Sequence, residues 1–144
     1  MASAKEILVT LPGGRRVDAK TAQHVVHTDQ PIDNGGQDSA PTPFDLFLAS
    51  IGACAGIFVQ GFCAKRRIPY DEIRLVERPQ FAEDGTLQAV DIDIQLPPSF
   101  PEKYQSAVVK VVEQCSVKRA ILAQPSFRVR ATHNQRAATA ASLV

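Results

Sequence analysis

Apolar and polar residues alternate through Ile7, Val9 and Leu11, and Pro12-Gly13-Gly14 follows at once. The pattern predicts a strand, a tight turn and a second extended run from Arg15 to about Thr28. Gln30 to Pro43 then gathers Asp, Asn, Gly and three prolines, the composition of an ordered connection.

Thr42-Pro43-Phe44-Asp45 predicts the start of a helix. Thr42 suits the N-cap, Pro43 the first helical position, and Asp45 the third, where a carboxylate favours the positive end of the helix dipole. The next nineteen residues, Leu46 to Ala64, carry no charge, and the helix is expected to run to about Arg67, before Pro69. Length, the Gly52–Gly56 spacing and the basic Lys65-Arg66-Arg67 cluster match a membrane span. Ser50, Gln60, three glycines and flanking segments patterned for a folded domain favour a helix buried by sheet and partner instead.

Past Pro69 the period returns to two. Ile73 and Leu75 alternate with Glu72 and Arg74, Glu83-Asp84-Gly85 makes a turn, and Val90, Ile92, Ile94 and Leu96 alternate with Asp91, Asp93 and Gln95. This predicts a hairpin with one buried face. Ser99 to Glu102 is expected to open a helix through a capping box, with Tyr104, Val108, Val111, Val112 and Cys115 on one face. Ser116 is expected to cap a short helical piece through Leu122. Ser126 to Ala131 reads as a last strand, and Thr132 to Val144 as a frayed, Ala-rich tail. The order is strands, long helix, strands, helices, strand, which is an α+β domain over residues 1–131.

Composition narrows the class little. With 144 residues, 44% hydrophobic, and a formal charge of +1, the chain has the make-up of one globular domain and no field that points to nucleic acid or an anionic membrane. The opening eleven residues, Lys5 and Glu6 among them, lack the apolar core of a signal peptide, and three cysteines without a C-x-x-C pair suit a reducing, cytoplasmic setting.

Candidate chemistry is sparse. Cys54 and Cys63 fall on opposite faces of the long helix, nine positions apart. Cys115, from a different helix, could meet either one, and all three also fit as small buried hydrophobes. His24 and His27 point to opposite faces of a strand and His133 lies in the tail, so no ligand set converges on a metal. Gly13-Gly14 lacks the pattern of a phosphate loop, and no Gly-x-Ser-x-Gly elbow is present.

The run from Gly35 through Thr42-Pro43-Phe44-Asp45-Leu46-Phe47-Leu48-Ala49-Ser50-Ile51-Gly52-Ala53-Cys54 resembles the signature of the OsmC/Ohr superfamily, and Glu113-Gln114-Cys115-Ser116-Val117 is similar to its late Cys-Pro-Val motif. The resemblance extends along nearly the whole chain to about Ala131. It implies an OsmC-like fold, an intertwined homodimer with sheets wrapped around two long central helices. It further implies a cofactor-free, metal-free thiol peroxidase that reduces organic hydroperoxides to alcohols. In that scheme Cys54 attacks the hydroperoxide and Cys115 resolves the sulfenic acid to a disulfide. A dithiol, lipoyl-type in some members, restores the enzyme, and a hairpin arginine, Arg15 with Arg16 as alternative, lowers the thiol pKa. Cys63 is assigned to packing.

Two departures qualify the assignment. Phe44 stands where organic hydroperoxide reductases carry a glutamate that orients the arginine, with Asp45 beside it committed to helix capping. Ser116 replaces the usual proline. The second expectation is therefore an OsmC-fold protein that binds a small apolar molecule without catalysis, its cysteines inert.

Overall fold

The computed structural model describes residues 6–133. The tail expected from Thr132 lies outside the described residues from position 134 onward. Eight regular elements follow in order: strands β1 (Ile7–Gly13), β2 (Arg16–Thr21) and β3 (His24–Thr28), helix α1 (Pro43–Lys65), strands β4 (Arg74–Phe81) and β5 (Leu87–Gln95), and helices α2 (Gln105–Val112) and α3 (Ser116–Leu122). This is the expected α+β arrangement.

β1, β2 and β3 form an antiparallel meander, with a bulge between Thr10 and Gly13 next to the first turn. The single extended run expected from Arg15 to Thr28 is thus two strands. The break falls at Ala22, whose φ of 41° is left-handed, and Ala22-Gln23 carries none of the Gly, Pro or Asn residues that advertise a turn. The connection that follows is ordered from within. Buried Asp29 accepts hydrogen bonds from the amides of Gln30 (2.8 Å), Gln37 (3.2 Å) and Ser39 (3.1 Å) and from the Ser39 hydroxyl (2.7 Å). Those donors, the Ser39 hydroxyl foremost, hold its pKa down at about 2. Gly36 is required there because a Cβ would collide with the Gln30 backbone.

α1 begins as its residues predict. Thr42 Oγ1 accepts from the Asp45 amide at 3.1 Å, while the Thr42 amide and hydroxyl both donate to Asp45 Oδ2, at 3.2 and 2.7 Å. The helix ends two residues sooner than expected. Arg67 turns left-handed (φ 57°) and the Ile68 amide returns to the Cys63 carbonyl at 3.0 Å, closing the last turn ahead of Pro69. Length and composition alone would let α1 cross a membrane. One of its faces nevertheless carries the core, in which Val59, Phe62 and Cys63 pack with Ile68, Ile73, Phe100 and Val108.

β4 and β5 form the expected hairpin, and Leu75, Glu77 and Pro79 pair with Ile94, Ile92 and Val90 on the face that meets α1. Glu77 is the exception on that apolar face. Its Oε1 is buried without a hydrogen-bond partner among the described residues, and its Oε2 lies against Gly52, where a Cβ would stand only 2.5 Å away. Burial raises its pKa above the ordinary 4.5, against a smaller opposing effect from the Gly52 amide.

Three expectations in the C-terminal half are corrected. The capping box at Ser99–Glu102 is not formed: Pro101 precedes a 3₁₀ turn over Glu102–Tyr104, and α2 proper starts at Gln105 without a side-chain cap. The cap of α3 is Cys115, not Ser116, because the residue with extended backbone (φ −50°, ψ 119°) just outside the helix is the cysteine. Ser126–Ala131 forms no strand among the described residues. Phe127 and Val129 are 89% and 97% exposed, and alternation without a neighbouring edge to pair with makes no ladder.

Candidate active site

Cys54 sits in the middle of α1, half-buried, on the side of the helix away from Cys63. Cys115 sits in the short link between α2 and α3. The α2 helix ends at Val112, the Cys115 amide turns back to the Val112 carbonyl at 3.1 Å, and the Cys115 carbonyl then accepts the first bond of α3, from the Arg119 amide at 2.9 Å. The Cys115 side chain is 1% exposed, and its sulfur accepts from the Lys118 amide at 3.5 Å. Packing of α3 on α1 brings this link against Cys54.

Cys115 stands next to Cys54, close enough that each thiol shifts the other's pKa, and all three cysteines are free. The alternative left open between Cys54 and Cys63 as neighbour of Cys115 is resolved in favour of Cys54. Cys63 lies fully buried in the core, its thiol pushed up by desolvation.

The environment splits the thiol pair. Cys54 is drawn down from the ordinary 9.0 to about 7, first by the hydrogen bond from Cys115, then by the Val117 amide, with the hydroxyl and amide of Ser116 adding to it. Cys115 moves the other way, because burial and then the neighbouring Cys54 both disfavour its charged form. The half-buried thiol is thus the more readily ionised of the two, and the buried one is held as the neutral thiol. Ser116 Oγ lies 3.6 Å from Cys54 Sγ. Its part in the site is missed when Ser116 is read only as a cap or a replaced proline. Its place directly after Cys115 was the available signal.

Arg15 and Arg16 stand at the β1–β2 turn and line a separate recess of about 320 Å³ with Gly13, Gly14, Asp29 and Gly35–Gln37. Within the protomer neither guanidinium contributes to lowering Cys54, which is held by hydrogen bonds. Phe44 packs on Phe47 and on Phe81 of β4, with ring centroids 5.6 and 6.1 Å apart, and Asp45 is committed to its cap. Neither position presents a free carboxylate to the thiols. Among the described residues no group of three His, Cys, Asp or Glu side chains converges as metal ligands. His27 instead contacts Asp18 at 2.9 Å.

A cavity of about 730 Å³ lies between β5, α2 and α3. Val90, Ile92 and Ile94 form one wall, Val112 and Ile121 the other, and Ile51, one helical turn before Cys54, closes one side. Neither sulfur of the pair lines it.

Comparison with known proteins agrees with this architecture. The chain resembles a protein from Psychrobacter arcticus named for an osmotic stress and detoxification response, with a TM-score of 0.69 and 22% identity over 83% of this chain and 90% of that one. An OsmC-like protein from Mycoplasma pneumoniae superposes with a TM-score of 0.65 at 15% identity, over 85% and 89% of the two chains. An organic hydroperoxide resistance protein from Elizabethkingia anophelis gives 0.55 at 21% identity, over 83% and 90%. No curated protein matches the sequence. At these identities the likeness establishes the fold. The family model described as OsmC-like protein matches residues 36–130, a span that contains α1, the β4–β5 hairpin and both cysteines of the pair, and on that match the chain belongs to the OsmC family.

Proposed function

We propose that the chain is a cytoplasmic thiol peroxidase that reduces organic hydroperoxides to alcohols. The observation that carries this reading is the contact between a half-buried Cys54 drawn down to about 7 and a buried Cys115 pushed up. The Cys54 thiolate attacks the terminal oxygen of R–O–O–H, and the O–O bond breaks. Sulfur gains the OH as a sulfenic acid, and the alkoxide takes up a proton to leave as the alcohol. The Cys115 thiol then condenses with the sulfenic acid, forming an S–S bond and releasing water. A dithiol reductant, possessing two hydrogens to give, returns both cysteines to thiols and becomes a disulfide itself.

The working unit of this proposal is a homodimer. Ile7, Leu8, Val9, Leu11, Val25 and Val26 leave an apolar sheet largely exposed on one protomer, a surface that supports association with a second copy. Assembly is where Arg15, or Arg16 in its place, would reach a thiol site. Light scattering of the full chain tests this part: a dimer is expected, and a monomer at micromolar concentration counts against it.

A second reading has its own support. Phe44 stands where organic hydroperoxide reductases carry a glutamate, and the 730 Å³ cavity is largely apolar and lined by neither sulfur, which fits a protein that binds a small apolar molecule with inert cysteines. Intact-mass measurement after exposure to cumene hydroperoxide separates the two. The peroxidase loses two hydrogens as the Cys54–Cys115 disulfide forms and consumes further hydroperoxide when a dithiol is supplied. Unchanged mass and no turnover favour the binder.

A further inference from the structure

Ser116 occupies the first position of α3, directly after the buried thiol, and its Oγ stands 3.6 Å from Cys54 Sγ. Sixty-two positions separate the two residues, so the contact is made by the packing of α3 on α1. The direction of the bond follows from the charge. A thiolate has no proton to give, so once Cys54 is ionised the Ser116 hydroxyl donates and the sulfur accepts. The backbone of Ser116 and Val117 also helps to lower the pKa of the same sulfur. One short stretch of chain therefore lies against the sulfur with the Ser116 hydroxyl in hydrogen-bond contact, and no cation among the described residues contributes to the lowered pKa. A proline at position 116 would remove both the hydroxyl and the residue's amide donor.

We infer that Ser116 is a positioning residue that holds the Cys54 sulfur in its reactive form from within the same protomer, by donation from Oγ. The purpose of that hold rests on the peroxidase reading. Its geometry does not.

The test is the rate of Cys54 alkylation by iodoacetamide as a function of pH in the full chain, with Cys54 identified by peptide mass spectrometry. Parent protein is compared with Ser116→Ala, Ser116→Thr and Ser116→Pro. The first helical position accommodates alanine and proline, and the extended backbone of Cys115 suits a residue that precedes proline, so all three variants are compatible with the fold. A thermal melt of each confirms folding. Alanine is expected to move the midpoint up by about half a pH unit, which slows alkylation at pH 6 by about threefold. Threonine, which keeps the hydroxyl, retains the parent midpoint, and proline moves it further than alanine. An unmoved midpoint in Ser116→Ala overturns the inference, as does a threonine variant shifted as far as alanine. The two readings fail separately. A parent Cys54 that titrates near neutrality and responds to Ser116→Ala, yet is never oxidised by cumene hydroperoxide, overturns the peroxidase and leaves the role of Ser116 standing. Hydroperoxide turnover with an unmoved midpoint does the reverse.

Discussion

The Glu77 carboxyl of β4 rests on the backbone of Gly52 in α1, one oxygen against the glycine and the other buried without a partner among the described residues. No charged residue faces it from α1 between Leu46 and Ala64, and the β5 residues that share its face are Val90, Ile92 and Ile94. A carboxyl in that setting has its folded pKa raised above the ordinary 4.5, so the folded chain holds its proton over a pH range in which the unfolded chain has lost it. Stability from this group is then complete below about 4.5 and falls as pH rises through the folded pKa. Glu77→Gln is expected to melt with the parent at pH 4, to gain on it as pH rises above about 4.5, and to hold a constant gain once the folded carboxyl has ionised. A gap between the two Tm values already constant from pH 4 upward would mean that the carboxylate meets a cation when copies assemble.

The thiol pair predicts a pH profile. With Cys54 at about 7, close to half of it is thiolate at neutral pH, against about one part in a hundred for a thiol at the ordinary 9.0. Its alkylation rate should climb through pH 7 and level off above about 8, as followed by mass-resolved labelling. A rate still rising tenfold per unit between pH 8 and 9 would show a thiol with no such environment.

Removing the partner sulfur should trap the intermediate. In Cys115→Ser, hydroperoxide converts Cys54 to a sulfenic acid that dimedone captures, while the parent yields little adduct because condensation is faster. Cys63 offers no rescue, since it is fully buried on another side of α1. Equal adduct in both proteins would remove Cys115 from the resolving role.

At the start of α1, Thr42→Ala deletes the hydroxyl that both accepts from the Asp45 amide and donates to the Asp45 carboxylate. The expected cost is about 1 kcal/mol, a fall in Tm of roughly 4 °C by calorimetry. An unchanged Tm would mean that packing by Phe44, Phe47 and Phe81 holds the helix start without its cap.

Local chemistry made the central helix legible. Thr42, Pro43 and Asp45 each carry a role that depends only on neighbours three residues away, and all three play it. The alternation through Ile73 and Leu75 likewise exposed the β4–β5 hairpin. Continued by one more step it places Glu77 on the dry face, a signal present in the residues and left unread. Ala22 hid the boundary between β2 and β3 because its left-handed backbone has no marker in composition. The pairing of Cys54 with Cys115 was legible only through family resemblance, since helical periodicity orders residues on one element and fixes no distance between two. The Ser126–Ala131 segment shows the opposite failure: its alternation is real, but a strand is a property of two chains side by side.

Cys115 caps the start of α3 with its sulfur, which accepts from the Lys118 amide at 3.5 Å. Any covalent bond made at that atom is therefore made at a helix end. Closing a bridge would draw electron density and position away from the amide, loosening the first turn of α3, whose far end supplies Ile121 and Leu122 to the wall of the apolar cavity. A disulfide at Cys115 would thus form at the capped start of the helix that lines the cavity.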